Sequence, residues 1–187
     1  MVTLYDLWLP ILISAAAVFG VSSVLHMLLP IHKGDYKRLP DEAELLEALR
    51  AKSLEPGHYM FPSLSSMADM RKPEVIERFQ KGPVGYATIM PSGMPSMFRS
   101  LGQWFAYLLV VGIFVGYICA ITLPPYNKFL PVFRVASCAA ALALAASHVQ
   151  DSIWKGLSWR ITGKYILDGI LYAVVMGAVF GWFWPEP

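Results

Sequence analysis

The chain has 187 residues, 56% of them hydrophobic and only 15% charged, with a net charge of +2 and a mean hydropathy of +0.51. Soluble domains carry about 25% charged residues, so this balance excludes a disordered chain and a strongly basic nucleic-acid binder. The two cysteines exclude a disulfide scaffold. The composition points to the bilayer.

A membrane-crossing helix needs about 20 apolar residues, and helices are required because every backbone N–H and C=O must find a partner inside the lipid. The first such run is 7–29, ionisable only at His26. The six residues before it contain no Lys or Arg, and the run is longer than the 7–15 residues or so of a signal-peptide core. It therefore reads as a retained anchor.

Residues 30–100 follow, rich in proline, which breaks long helices. Two short amphipathic helices are predicted there. One starts at Pro40 with the capping-box pattern Asp41-x-x-Glu44, carries Leu45, Leu46 and Leu49, and stops near Pro56-Gly57. The other starts at Pro73, a favoured first helical position, carries Val75, Ile76 and Phe79, and ends at Lys81-Gly82. The stretches His58–Ser66 and Val84–Met97 are expected to be extended. Met90, Met94 and Met97 read as flexible apolar contacts of a membrane-hugging strap, with a soft-metal patch as the sharper alternative. Ten basic against nine acidic residues leave no polybasic lipid-binding cluster in this segment.

Three further spans are predicted at 101–123, 130–149 and 165–184. The second has no ionisable residue; the third has Arg134 near its start, able to snorkel outward, and His148 near its end; the fourth has Asp168 near its start. The fold class is thus an all-α integral membrane protein, a four-transmembrane-helix bundle with a Pro-rich cytoplasmic segment. Its parts are the N-terminal anchor (1–29), the segment 30–100 and a three-span region (101–187).

Charge asymmetry gives an orientation. Segments 30–100 and 150–164 collect thirteen Lys and Arg, while the N-terminal tail and the PEP tail have none and the turn 124–129 has one. By the positive-inside rule both termini lie outside and both basic segments lie in the cytoplasm. Tyr5, Trp8, Tyr126, Trp182 and Trp184 fall at the outer edge, and Trp104, Trp154, Trp159 and Tyr165 at the inner one, as amphipathic rings prefer.

Small residues at helical spacing let membrane helices approach closely. They occur at Ala16 and Gly20, at Gly112 and Gly116, and at Ala173, Gly177 and Gly181. The plain reading is internal packing; the functional one is docking onto another subunit. The third span is so rich in Ala and Ser that it is expected to sit centrally.

Ionisable residues within spans are functional candidates. His26 and His148 are candidate cofactor ligands, as axial ligands of a haem. His26, His148, Asp151 and Asp168 form a candidate metal set, and Asp168 with a histidine could relay protons. His32 and His58 could approach from the loop. Each has a structural counterpart: a histidine at a span end meets water, and Asp168 in the first turn of its helix would sit in the favourable dipole or pair with Lys164. Cys119 and Cys138 lie in the outer halves of the second and third spans and could pair, but their depths differ by roughly 4–5 Å at 1.5 Å per residue, and two small buried side chains are the simpler expectation. There is no phosphate-binding loop, H-E-x-x-H, C-x-x-C or G-x-S-x-G motif, and no internal repeat.

The strings LPDEAELLEAL (39–49), PGHYMFPS (56–63), KGPVGYATIMPSG (81–93) and DGILYAVVMGAVFGWFWP (168–185) resemble a group of uncharacterised small bacterial inner-membrane proteins. That resemblance implies a bacterial inner-membrane location and the same order of one anchor, a Pro-rich segment and three spans. It implies no activity and no site residue. The leading functional expectation is a non-catalytic accessory subunit, in contact with lipid and other membrane subunits. The alternatives are a haem- or metal-binding redox protein and a small transport component.

Overall fold

The computed structural model describes residues 2–185. It is 67% helical with almost no strand, and four of its helices are long and apolar enough to cross a membrane: Trp8–Leu28, Met97–Thr122, Phe129–Lys155 and Trp159–Trp182. The predicted all-α four-helix architecture is observed. Residues up to Asp35 and from Ser96 onward form one compact unit, and Tyr36–Pro95 forms a second.

In the bundle, α1 (Trp8–Ser23) continues into a wider π turn at Val24–Leu28, and a 3-10 turn follows at Pro30–His32. Helix α4 spans Met97–Thr122. Helix α5 (Phe129–Leu144) breaks into a 3-10 turn at Ala146–His148 and resumes as α6 (Val149–Lys155), and α7 spans Trp159–Trp182. Helices α2 (Glu42–Ala51) and α3 (Pro73–Lys81) belong to the second unit. In the bundle α1 packs on α4 and α7, and α5 packs on the same two, most extensively on α7. Leu7, Val18, Leu108, Val115, Val132, Met176 and Phe180 fill the space between them.

Small residues set the α5–α7 approach. A Cβ placed on Gly177 would strike the Ser137 hydroxyl and come within 2.9 Å of the Phe133 carbonyl oxygen; one placed on Gly169 would overlap the Leu144 carbonyl. Gly112 and Gly116 sit against Ile11 and Leu7 of the first span, Ala173 is buried, and Gly181 receives the Phe129 ring. These residues are used inside the bundle. Ala16 and Gly20, by contrast, lie on the exposed face of α1, with nothing within 4 Å of a Cβ on Gly20.

Three expectations need correction. The third span is not the central one: 44% of the most apolar stretch of α7 is buried, against 28% in the third span. The small residues of α5 admit α7 on one side and leave the other side open. The fourth span begins at Trp159 rather than 165, because a helix continues past the apolar run through charged residues that water can solvate. Cys119 is buried in α4 and Cys138 exposed on α5, and both thiols are free.

The second unit contains α2 (Glu42–Ala51), a 3-10 turn at Met67–Arg71 and α3 (Pro73–Lys81). Asp41 stands before α2 in a left-handed conformation (φ 49°) and its side chain makes no capping hydrogen bond. The reciprocal capping box occurs instead between Ser66 and Asp69. The two stretches expected to be merely extended pair as an antiparallel ribbon, β1 (Gly57–Phe61) with β2 (Gly85–Ile89), registering Tyr59 opposite Ala87. Val75 is the one buried hydrophobic side chain among the described residues of this unit.

The α5–α7 contact yields a direct test. Gly169→Ala should lower stability by about 1–3 kcal/mol, the usual cost of overpacking, because the atom it meets is backbone. Gly20→Ala should leave stability unchanged or raise it by roughly 0.5–1 kcal/mol through helix propensity. Thermal unfolding in detergent, followed by tryptophan fluorescence, distinguishes the two.

Candidate functional site

The irregular turns of the first and third spans fall at the same end of the bundle. Over Val24–Leu28 the hydrogen bonding of α1 widens, with the Leu29 amide donating to the Val24 carbonyl (3.1 Å), five residues back. Such π turns are frequent at functional sites. Pro30, lacking an N–H, ends the helix, and the 3-10 turn that follows folds His32 back toward α7.

The fold-back is fastened by charge. The His32 Nδ1 lies 2.8 Å from Asp35 Oδ2, and its Nε2 lies 2.8 Å from Asp168 Oδ2. Lys164 forms a short ion pair with the other Asp35 oxygen and donates to the Ile31 carbonyl at 2.7 Å. His26 Nε2 stands 4.0 Å from the same Asp168 oxygen, and the two histidine rings stack at 4.4 Å. His32 stacks in turn on Tyr165 at 5.5 Å, and Tyr165 meets His148 at 5.3 Å.

Asp168 is only 7% exposed. As the tenth residue of α7, it lies about 13 Å from the helix start at 1.5 Å per residue. The first-turn explanation for this carboxylate therefore fails, since the dipole effect fades beyond the first turn. The expected Lys164 partner is instead taken by Asp35.

The contact between His32 and Asp168 is unusual. Both facing atoms are buried, yet neither makes a hydrogen bond, so the 2.8 Å approach runs off the N–H axis. A carboxylate only accepts, so an imidazole that donates its Nδ1 proton to Asp35 presents a lone pair at Nε2. That lone pair lies on the same axis an N–H would take, so it points to one side of the Asp168 oxygen, and the two acceptors stand side by side.

Beside this cluster a cavity of about 490 Å³ reaches all four spans. Its wall includes Ser22, His26, Trp104, His148, Asp168 and Tyr172. The Trp104 indole donates to the Ser22 hydroxyl at 2.9 Å, tying α4 to α1. The Tyr172 hydroxyl is buried without a hydrogen-bond partner.

Of the sequence candidates, the structure brings together His26 and Asp168. His148 lines the same cavity as His26, and its ring meets Tyr165 at 5.3 Å. Asp151 pairs with Lys155 at 2.7 Å, away from the cluster. His58 belongs to the second unit, where Nδ1 lies 3.1 Å from the Thr88 hydroxyl across the ribbon. The roles of Asp35 and Tyr172 were missed. The spacing His32-x-x-Asp35 directly after a helix-ending proline is the signal that could have found the first. No protein-family model, curated protein or solved structure matches the chain.

The Lys164 hydrogen bond, helped by His32 and opposed by burial, holds the Asp35 carboxyl below its ordinary value of 3.8. A depressed carboxylate contributes stability that is complete above its unfolded pKa and lost as pH falls through the folded one. The unfolding midpoint should therefore drop as pH is lowered from about 5 to below 3.8. In Asp35→Asn that acid limb should be shallower and the midpoint at pH 7 lower. Thermal scans across pH check both.

Proposed function

We propose that the protein is a bacterial inner-membrane protein that binds a lipid-soluble molecule carrying a hydrogen-bonding head. The single supporting observation is the cavity. It has the size of small-molecule sites, which run from about 300 to 1,000 Å³ and occur between helices of bundles, and its mostly apolar wall holds a few polar groups. Among these, the orphaned Tyr172 hydroxyl supplies a donor whose burial is costly until an acceptor arrives. The Trp104 and Tyr172 rings, 6.1 Å apart, suit an aromatic or planar head. The positive-inside asymmetry of the sequence supports a cytoplasmic location for this end of the bundle. Labelling Lys155→Cys with a membrane-impermeant thiol reagent should therefore need permeabilised cells.

A second reading, a non-catalytic accessory subunit of a larger complex, is favoured by Ala16 and Gly20, small residues left on the outer face of α1. One experiment separates the two. The protein is purified from native membranes in mild detergent, and co-eluting proteins and organic extracts are analysed by mass spectrometry. The ligand reading expects one lipophile at near-stoichiometric amount, reduced about tenfold in Tyr172→Phe, in line with the 1.5 kcal/mol or so of a net hydrogen bond. It also expects loss of the lipophile in Ser100→Trp, which fills the mouth. A stoichiometric protein partner, with only bulk lipid in every extract, would replace it with the subunit reading.

A further inference from the structure

We propose that His26, His32 and Asp168 bind one divalent transition-metal ion, with Asp35 and Lys164 as its outer support. One ligand atom from each of the three lies within 4.8 Å of the other two. The donors come from separate pieces of chain: His26 from the π turn, His32 from the 3-10 turn and Asp168 from the middle of α7. Two imidazoles with one carboxylate suit first-row transition ions such as Zn²⁺, Fe²⁺ and Co²⁺ rather than Mg²⁺ or Ca²⁺, which prefer all-oxygen shells.

The surroundings of His32 carry the inference furthest. A metal-bound histidine almost always donates its other ring N–H to a carboxylate or carbonyl, which fixes the tautomer and the ring plane. His32 has this arrangement: Nδ1 on Asp35, and Asp35 in turn held by Lys164, which is itself tied to the Ile31 carbonyl. The outcome is an Nε2 lone pair directed toward the metal side, next to a carboxylate oxygen that is over nine-tenths buried and has no hydrogen bond.

Asp35 and Asp168 bring two negative charges and Lys164 one positive, so the cluster is short of positive charge by one and can accept a cation beside the two carboxylates. The competing arrangement has a doubly protonated His32 between the two carboxylates. That leaves His26 without a role, although its Nε2 faces the same oxygen at 4.0 Å. A cleft of about 370 Å³ is lined by Met27 through Pro30 together with His26, His32 and Lys33, so both histidines border open space on the loop side. Three protein ligands leave at least one coordination position for water or another small donor.

His26 and Asp168 also border the ligand cavity, but the metal test needs no lipophile, so its failure leaves the ligand reading standing. The full-length protein, chelator-treated in detergent, is titrated with Zn²⁺ by calorimetry and with Co²⁺ by visible absorption. Expected are one ion per chain and a Co²⁺ spectrum of nitrogen and oxygen ligation. His32→Gln and Asp168→Asn should abolish saturable binding. Asp35→Asn, which keeps all three donors, should weaken it about 10- to 100-fold, the usual effect of losing an outer-shell partner. Asp151→Asn should bind as wild type does. If His32→Gln does not yield monodisperse protein, His26→Gln at the more exposed ligand takes its place, with the same loss expected. The proposal is overturned if wild type binds no ion, which selects the protonated His32. It is also overturned if wild type and the donor variants bind alike, which marks an adventitious ion only.

Discussion

A single buried carboxylate organises one end of this bundle. Asp168 sits in the third turn of a membrane-length helix, enclosed by neighbouring helices. A charge there is costly unless it is paired and its remaining lone pairs are satisfied. Lys164, one turn earlier on α7, is committed to Asp35. The partner comes from a chain reversal: α1 loosens into a π turn, stops at Pro30 and returns His32 to the carboxylate. The irregular end of α1 and the placement of Asp168 are two halves of one arrangement.

The third span deforms at the same level. Helix α5 ends at Leu144, whose carbonyl lies where a Cβ on Gly169 would be, and Gly169 is the residue after Asp168. The close crossing brings the break in α5 against the buried carboxylate, and the Tyr107 hydroxyl donates to the Ala143 carbonyl near the break at 3.2 Å. Away from this end the helices are regular and their contacts mostly apolar, with small polar groups such as Ser14 and Ser137 enclosed among them. Polar side chains, helix distortions and the cavity gather where regular structure is given up, as expected when strain is localised at a site rather than spread through the core.

Much of this was legible in the sequence, and what was not has a physical cause. The four spans follow from hydropathy, because the bilayer length leaves few alternatives, and α3 was readable to the residue from Pro73 and Lys81-Gly82. The start of α7 was misplaced because Arg160 and Lys164 interrupt the apolar run while leaving helix formation untouched. That error carried Asp168 into a first turn it does not occupy. His26 and Asp168 announced themselves as ionisable residues in apolar runs. The contribution of His32 and Asp35 depends on the reversal at Pro30, a tertiary feature with only a local trace. Small-residue spacing is the same at Ala16/Gly20 as at Gly112/Gly116, yet one pair faces outward and the other inward; spacing reports a face, not its neighbour. The β1–β2 ribbon was invisible as a pair because its strands are separated in sequence by the whole of α3.

The most direct test of this account is the energetic coupling between His32 and Asp168. It is measured by a double-mutant cycle of His32→Gln and Asp168→Asn on unfolding in detergent at pH 6.5 with chelator present. If the carboxylate depends on the returned histidine, the two substitutions will couple by about 1 kcal/mol or more, within the range for residues in contact. Effects that add to within about 0.5 kcal/mol, as for distant independent sites, would contradict it.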